Sequence, residues 1–166
     1  MATLPATAPS EPVNPALAQG AQIPLQNFSL PQFPPEASGL KALTLTSDIK
    51  LDEYTTLLAN DVATIPQLPR GIESLTLELF SLGYPPGFLT ALSSQLPNIK
   101  SLVVYSQLFS GITEESQKDA EGFFDNCANL RALHLLDVFA RPHFFDIIGP
   151  KLAKRQKGLM FLEVSY

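Results

Sequence analysis

The aliphatic residues of this chain recur in one short pattern along most of its length. The pattern aliphatic-x-x-aliphatic-x-aliphatic, in which x is any residue, occurs five times at similar spacing. The copies are LKALTL from Leu40, IESLTL from Ile72, IKSLVV from Ile99, LRALHL from Leu130 and LMFLEV from Leu159. Successive copies start 27 to 32 residues apart, which indicates a repeated supersecondary unit.

Each copy predicts a short strand, and the segment after it predicts a helix. Alternation of aliphatic with other residues predicts strands at 42–46, 74–80, 101–105, 132–137 and 161–165. Apolar residues at three- and four-residue steps predict helices at about 51–60, 86–96, 114–127 and 143–156. We expect Gly149-Pro150 to kink the last helix or to divide it in two. Because helical crossovers are too long for hairpins, the strands are predicted to run parallel, and the fold class is α/β.

The strand motifs resemble those of leucine-rich repeats. The resemblance is to the longer, helix-containing repeats of ribonuclease-inhibitor-like proteins and of the leucine-rich halves of F-box substrate receptors. It covers residues 40–166 as about four repeats and a final strand. It implies a short horseshoe-shaped solenoid with a parallel sheet on the concave face and helices on the convex face. The asparagine that family members often carry after the strand is absent, and Leu79, Gln107 and Val138 lie nearby instead.

In such a horseshoe, the residues between the aliphatic strand positions form the open concave face. Alternation assigns them to a column of Thr44, Thr76, Val103, His134 and Glu163 and a neighbouring column of Thr46, Glu78, Tyr105, Leu136 and Ser165. Repeat solenoids bind along this face, and exposed aromatic and aliphatic residues make interface contacts. We therefore predict a protein-binding strip of Thr76, Glu78, Val103, Tyr105, His134, Leu136 and Glu163. The alternative is that these residues merely suit a sheet surface, since Thr, Val and Tyr are good strand formers.

The resemblance implies a non-enzymatic, protein-binding module. An alternative is the substrate-receptor half of a ubiquitin-ligase adaptor, separated from its F-box, since residues 1–39 are too short and proline-rich to supply that helical segment. A third hypothesis is a hydrolase with an unrecognised site. The sequence contains no Walker loop, dinucleotide fingerprint or HExxH motif, so we expect no catalytic residue and no cofactor.

One cysteine and two histidines cannot supply the four N/S ligands of a usual zinc site, so no metal is expected. The cysteine, Cys127, has an apolar helical setting and is predicted to pack in the core with Ala120, Phe123 and Phe124.

The first 39 residues differ in composition from the repeats. Eight of the 15 prolines come before residue 36, and we predict a mostly disordered leader. Apolar residues return from about residue 22, which suggests a cap packed on the first repeat. Pro31-Gln32-Phe33-Pro34 fits the PxxP pattern of polyproline ligands, although no basic residue flanks it. Because signal-peptide and membrane-spanning patterns are absent, we expect a cytoplasmic or nuclear protein that does not bind membranes.

The net charge of −5 argues against a nucleic-acid partner. Acidic residues concentrate in the third helix, as Glu114, Glu115, Asp119, Glu121 and Asp125, while Lys151, Lys154, Arg155 and Lys157 follow Phe145. We interpret these groups as complementary packing of adjacent layers; the alternative is a small basic patch for phosphate or an acidic partner.

The final strand, 161–165, has no helix behind it in the sequence. An uncovered face and an unpaired edge favour pairing with another chain, so we expect either a truncated gene product or self-association through this C-terminal edge strand.

Overall fold

The computed structural model describes residues 20–59, 65–153 and 161–165. It contains a six-stranded sheet made of β1 (Gly20–Leu25), β2 (Ala42–Ser47), β3 (Ser74–Glu78), β4 (Ser101–Leu108), β5 (Ala132–Phe139) and β6 (Phe161–Ser165). The helices are α1 (Leu51–Ala59), α2 (Phe88–Ser94), α3 (Glu114–Asn126) and α4 (Phe144–Ala153), with a short 3-10 helix at Pro35–Gly39. No helix within these described ranges is long and apolar enough to cross a bilayer.

The strands lie in the sheet in the order in which they occur along the chain, and every neighbouring pair is parallel. Their register repeats the sequence pattern, because Leu43 aligns with Leu75, then with Leu102, Leu133 and Leu162. Each copy of the aliphatic motif therefore occupies the same place in its strand. The α/β class and the parallel sheet that the pattern predicts are confirmed.

One face of the sheet forms the hydrophobic core. Leu43, Leu75 and Leu102 are almost completely buried, as are their partners two residues further along each strand. They share one apolar cluster with Phe88, Leu89 and Leu92 of α2 and with Phe123 and Phe124 of α3. The helices therefore cover this face, and the opposite one, which we call the open face, carries the intervening strand residues.

The segment in which a cap is expected contains a strand, β1, that the sequence pattern does not predict. Gly20–Leu25 pairs with β2 as a sixth parallel strand, and Leu25 is buried. Pro24 lies inside this strand, and among the described strands β1 is paired only with β2, so the missing N–H of the proline is tolerated. Phe28 then places its ring 5.8 Å from that of Tyr54 and 5.4 Å from that of Phe88. Residues 1–19, where a disordered leader is expected, lie outside the described part.

The last helix, α4, is continuous, so the division into two pieces, one of the two alternatives predicted at Gly149-Pro150, is wrong. It runs from Phe144 to Ala153 and includes Pro150. Proline costs the helix one backbone hydrogen bond. Phe144, Ile148 and Leu152 nevertheless recur at four-residue steps and are all buried, so packing of this apolar face holds the helix together across Pro150.

Candidate protein-binding face

The structure brings the seven predicted strip residues onto the open face in two adjacent rows. Thr76, Val103, His134 and Glu163 align across β3 to β6 in the first row, and Glu78, Tyr105 and Leu136 align across β3 to β5 in the second. Gln22 and Thr44 extend the first row onto β1 and β2. Pro24, Thr46 and Ser165 complete the second row.

Exposure along a strand shows which residues face solvent. In β4, Leu102 and Val104 are fully buried, whereas Val103 is half-buried and Tyr105 keeps 43% of its surface exposed. In β5, His134 is half-buried between buried Leu133 and Leu135, and Leu136 is half-buried before exposed Asp137. The strip residues of β4 and β5 therefore lie on the face opposite the core.

The centre of the face is apolar, with a carboxylate on each side. Val103, Tyr105 and Leu136 lie on the two middle strands of this region. On one side, Glu78 accepts a 2.7 Å hydrogen bond at Oε1 from the hydroxyl of Thr46. On the other side lies Glu163, one strand beyond Leu136 and His134. An apolar ligand group placed at the centre would thus have acidic neighbours in two directions.

His134 and Glu163 form a close pair across β5 and β6. His134 Nδ1 lies 2.7 Å from Glu163 Oε1, and the two side chains are 26% and 51% exposed. A carboxylate in this position orients the imidazole ring. The pair therefore links β6 to the rest of the face.

Each central strand bends immediately after its residue in the second row. Leu79, Ser106 and Asp137 have φ values of 67°, 51° and 56°, in the left-handed region that side chains other than glycine disfavour. The bend shifts the alternation by one residue, so that Phe80, Gln107 and Val138 turn back into the core three positions after the last buried aliphatic residue. The register between β4 and β5 is the same before and after the bend, so the open face ends at the same level on these strands.

Gln107 is a buried polar residue beneath this bend. Its side-chain Nε2 donates to the carbonyl of Leu77 on β3 at 2.8 Å, and its Oε1 accepts from the hydroxyl of Tyr84 at 2.7 Å. Burial raises the pKa of Tyr84 well above its ordinary value, and the hydrogen bond to Gln107 opposes that rise. The tyrosine is therefore neutral at physiological pH and holds the glutamine amide toward the strand.

The acidic third helix packs against both of its neighbours. Asp119 is buried, and its carboxylate accepts hydrogen bonds from the backbone N–H groups of Leu89 and Thr90 at 2.8 and 2.9 Å. It thus satisfies donors at the start of α2, where negative charge is favourable. Asp125 accepts from Lys151 Nζ of α4 at 3.0 Å. These contacts support complementary packing of adjacent layers; Lys154, Arg155 and Lys157 lie outside the described residues.

Cys127 is buried at the end of α3, together with Ala120, Phe123 and Phe124, as predicted. Within residues 20–59, 65–153 and 161–165, no group of three or more His, Cys, Asp or Glu side chains is placed to hold a metal ion.

No protein-family model, curated protein or solved structure matches this chain. The functional interpretation therefore depends on the repeat pattern and on the geometry of the open face.

Proposed function

We propose that this protein is a non-enzymatic binding module of the leucine-rich-repeat type, which presents the open face of its parallel sheet to a protein partner. Support for the repeat assignment comes from the constant register, in which each aliphatic motif fills the same position on its strand. The matching bends after Glu78, Tyr105 and Leu136 add a second feature that recurs from one strand to the next.

The observation that carries the binding proposal is the exposed side chain of Tyr105 at the centre of the face. Its ring has Leu136 beside it on β5 and Glu78 beside it on β3. Tyrosine is among the residues most enriched at interfaces, because its large rigid ring contributes apolar area and its hydroxyl can hydrogen-bond. With Val103 in the adjacent row, these side chains form an apolar centre suited to burial by a partner.

The charges around this centre indicate the chemistry of the partner. Glu78 and Glu163 flank it, and Asp137 is exposed at the carboxyl end of the sheet beside Leu136. Complementarity favours a partner that presents an apolar side chain with lysine or arginine residues around it. Association with such a partner should become weaker as salt concentration rises.

Affinity capture with two matched triple variants tests this function. The first variant replaces Tyr105, His134 and Leu136, which lie on the open face, with alanine. The second, the helix-face variant, replaces in the same way Leu51, Glu115 and Ile147, which are exposed on α1, α3 and α4. We expect the specific partner to be retained by the wild type and the helix-face variant and lost from the open-face variant. Retention by all three proteins would contradict binding through the open face.

A hydrolase is a second candidate function, and the contact between His134 and Glu163 is the observation that favours it. A carboxylate bonded to one ring nitrogen is the arrangement that orients a general base. Turnover in a screen of ester and amide substrates that disappears in His134→Gln would support hydrolysis. Turnover that is unchanged in this variant would place the activity elsewhere or in a contaminant.

A further inference from the structure

The segment from Pro31 to Pro35 follows β1 and leads into the 3-10 helix. Pro31, Gln32 and Pro34 are exposed, whereas Leu30 is buried and Phe33 is half-buried against the hydrophobic core. The two apolar residues therefore anchor the segment on the protein and leave its prolines accessible to a partner.

The backbone at Pro34 has the geometry of a polyproline ligand. Pro34 has φ −74° and ψ 160°, which lies in the polyproline II region. Proline restricts φ at Pro31, and Phe33, which precedes Pro34, is biased toward extended conformations. In a polyproline II helix, which has three residues per turn, Pro31 and Pro34 would lie on the same edge of the segment.

The fold supplies the basic residue that the sequence around the PxxP pattern lacks. Arg70 is exposed and lines the same surface depression as Phe33, Pro34 and Pro35. Its carbonyl accepts a 2.8 Å hydrogen bond from Asn98 Nδ2, which fixes the backbone at this position. A cation thus lies beside the prolines although it is 35 residues from Pro35 in the sequence.

A second cation and two carboxylates lie near the depression. Lys41 Nζ is 3.7 Å from the point that a Cβ atom on Gly71 would occupy, so it lies beside the same depression. Glu36 follows directly after Pro35 and is exposed, and Glu73 lies 3.5 Å from Lys100 Nζ. The described lining of the depression itself carries Arg70 and no acidic side chain.

We propose that Pro31 to Pro35, together with Arg70, is a docking site for a polyproline-binding domain with an aromatic-lined groove flanked by carboxylates. The prolines fill the groove, and Arg70 pairs with the carboxylates at its end. Such grooves favour a preformed polyproline II segment because little conformational entropy is lost on binding. This docking site is separate from the open face, so an experiment can contradict one of the two binding proposals and leave the other standing.

The test measures binding of the full chain to a panel of purified SH3 and WW domains by isothermal titration calorimetry. We expect at least one domain to bind, with affinity reduced about tenfold in the double variant Pro31→Ala/Pro34→Ala, equivalent to about 1.4 kcal/mol. Pro86→Ala, at an exposed proline just before α2, is the matched control and should leave binding unchanged. No binding by any domain, or equal binding by the double variant, would overturn the proposal.

Two further comparisons isolate the role of Arg70. A synthetic peptide of residues 28–38 contains the prolines without Arg70 and should bind less tightly than the full chain. Arg70→Glu should weaken binding, whereas Glu36→Gln should strengthen it, because the groove is expected to be flanked by carboxylates. Equal affinity of peptide and full chain, or an increase in Arg70→Glu, would overturn the assignment of Arg70 to the docking site.

Discussion

The hydroxyl of Tyr84 and the side-chain oxygen of Gln107 form a buried 2.7 Å hydrogen bond beneath the open face. Through its amide nitrogen, Gln107 also binds the carbonyl of Leu77, so the pair connects β4 with β3 and with the chain before α2. The strands joined in this way carry Glu78 and Tyr105 on the other side of the sheet. A core hydrogen-bond network thus positions the residues of the proposed binding centre.

Tyr84→Phe should destabilise the protein. The variant leaves the buried side-chain oxygen of Gln107 without its hydrogen-bond donor. An unsatisfied buried acceptor typically lowers the free energy of unfolding by about 1–3 kcal/mol. Urea unfolding measures this loss. Tyr105→Phe, which removes an exposed hydroxyl, is the control and should change the free energy of unfolding by less than about 0.5 kcal/mol. Equal effects of the two variants would show that the buried hydrogen bond is not formed.

Two adjacent residues of β4 test which face of the strand lies in the core. Leu102→Ala removes a fully buried side chain and should cost about 2–5 kcal/mol of the free energy of unfolding. Val103→Ala changes the open face and should cost less than about 1 kcal/mol, the span of strand propensity. Chemical denaturation of both variants checks the order. A larger loss for Val103→Ala would mean that the strand register is wrong.

The protein should lose stability at alkaline pH through Tyr54 and Tyr84. Burial raises the pKa of both hydroxyls above the ordinary value of 10.0, so the folded state retains protons that the unfolded state releases. The stabilisation that the two raised pKa values give the folded state is fully present below about pH 10. Above that pH it declines by about 1.4 kcal/mol per pH unit for each tyrosine. Urea unfolding between pH 8 and about pH 11 measures the slope.

Tyr54→Phe and Tyr84→Phe should each make this decline shallower. Tyr105→Phe is the control, since its ring is exposed on the open face. The comparison uses the slope with pH rather than the stability at one pH, because Tyr84→Phe also removes a hydrogen bond. An identical slope in all three variants and the wild type would contradict the assignment to buried tyrosines.

Self-association through β6 is a further expectation. Leu162 and Val164 occupy the aliphatic motif positions of this strand but are 55% and 42% exposed, whereas the corresponding Leu133 and Leu135 of β5 are buried. Sedimentation equilibrium should therefore show concentration-dependent association that Leu162→Glu abolishes. Leu51→Glu, at a more exposed leucine on α1, should leave association unchanged. A monomeric wild-type protein at high concentration would contradict this expectation.

The parallel strands, the helices and the alignment of the strip residues could be predicted because the repeat imposes one register on the strands. Alternation assigned Val103, Tyr105 and His134 to one face, and equal motif positions placed them in aligned rows. The contact between His134 and Glu163 follows from the same register, since both residues belong to the first row on neighbouring strands.

The bends and the buried network were not predictable in the same way. Leu79, Ser106 and Asp137 adopt left-handed conformations without being glycine, so their residue types give no indication of it. The available signal is the three-residue spacing from Leu77 to Phe80, which simple alternation does not explain. Tyr84 and Gln107 are 23 residues apart, and only the tertiary packing brings them together.

β1 was missed for a local reason. Proline disfavours strand interiors, and Pro24 interrupts an otherwise alternating set of Ala21, Ile23 and Leu25. Because β1 is paired only with β2 among the described strands, the missing N–H costs little there. The position of a strand within a sheet is a property of the whole sheet and is not encoded in these six residues.

The most direct test of the proposed function is the dissociation constant of the captured partner, measured by titration calorimetry with the wild type and with Tyr105→Ala. Truncation of a central aromatic residue in an interface is expected to cost at least about 2 kcal/mol, which is roughly a thirtyfold loss of affinity. The helix-face triple variant should bind as the wild type does. A dissociation constant unchanged by Tyr105→Ala, together with a loss in the helix-face variant, would contradict binding through the open face.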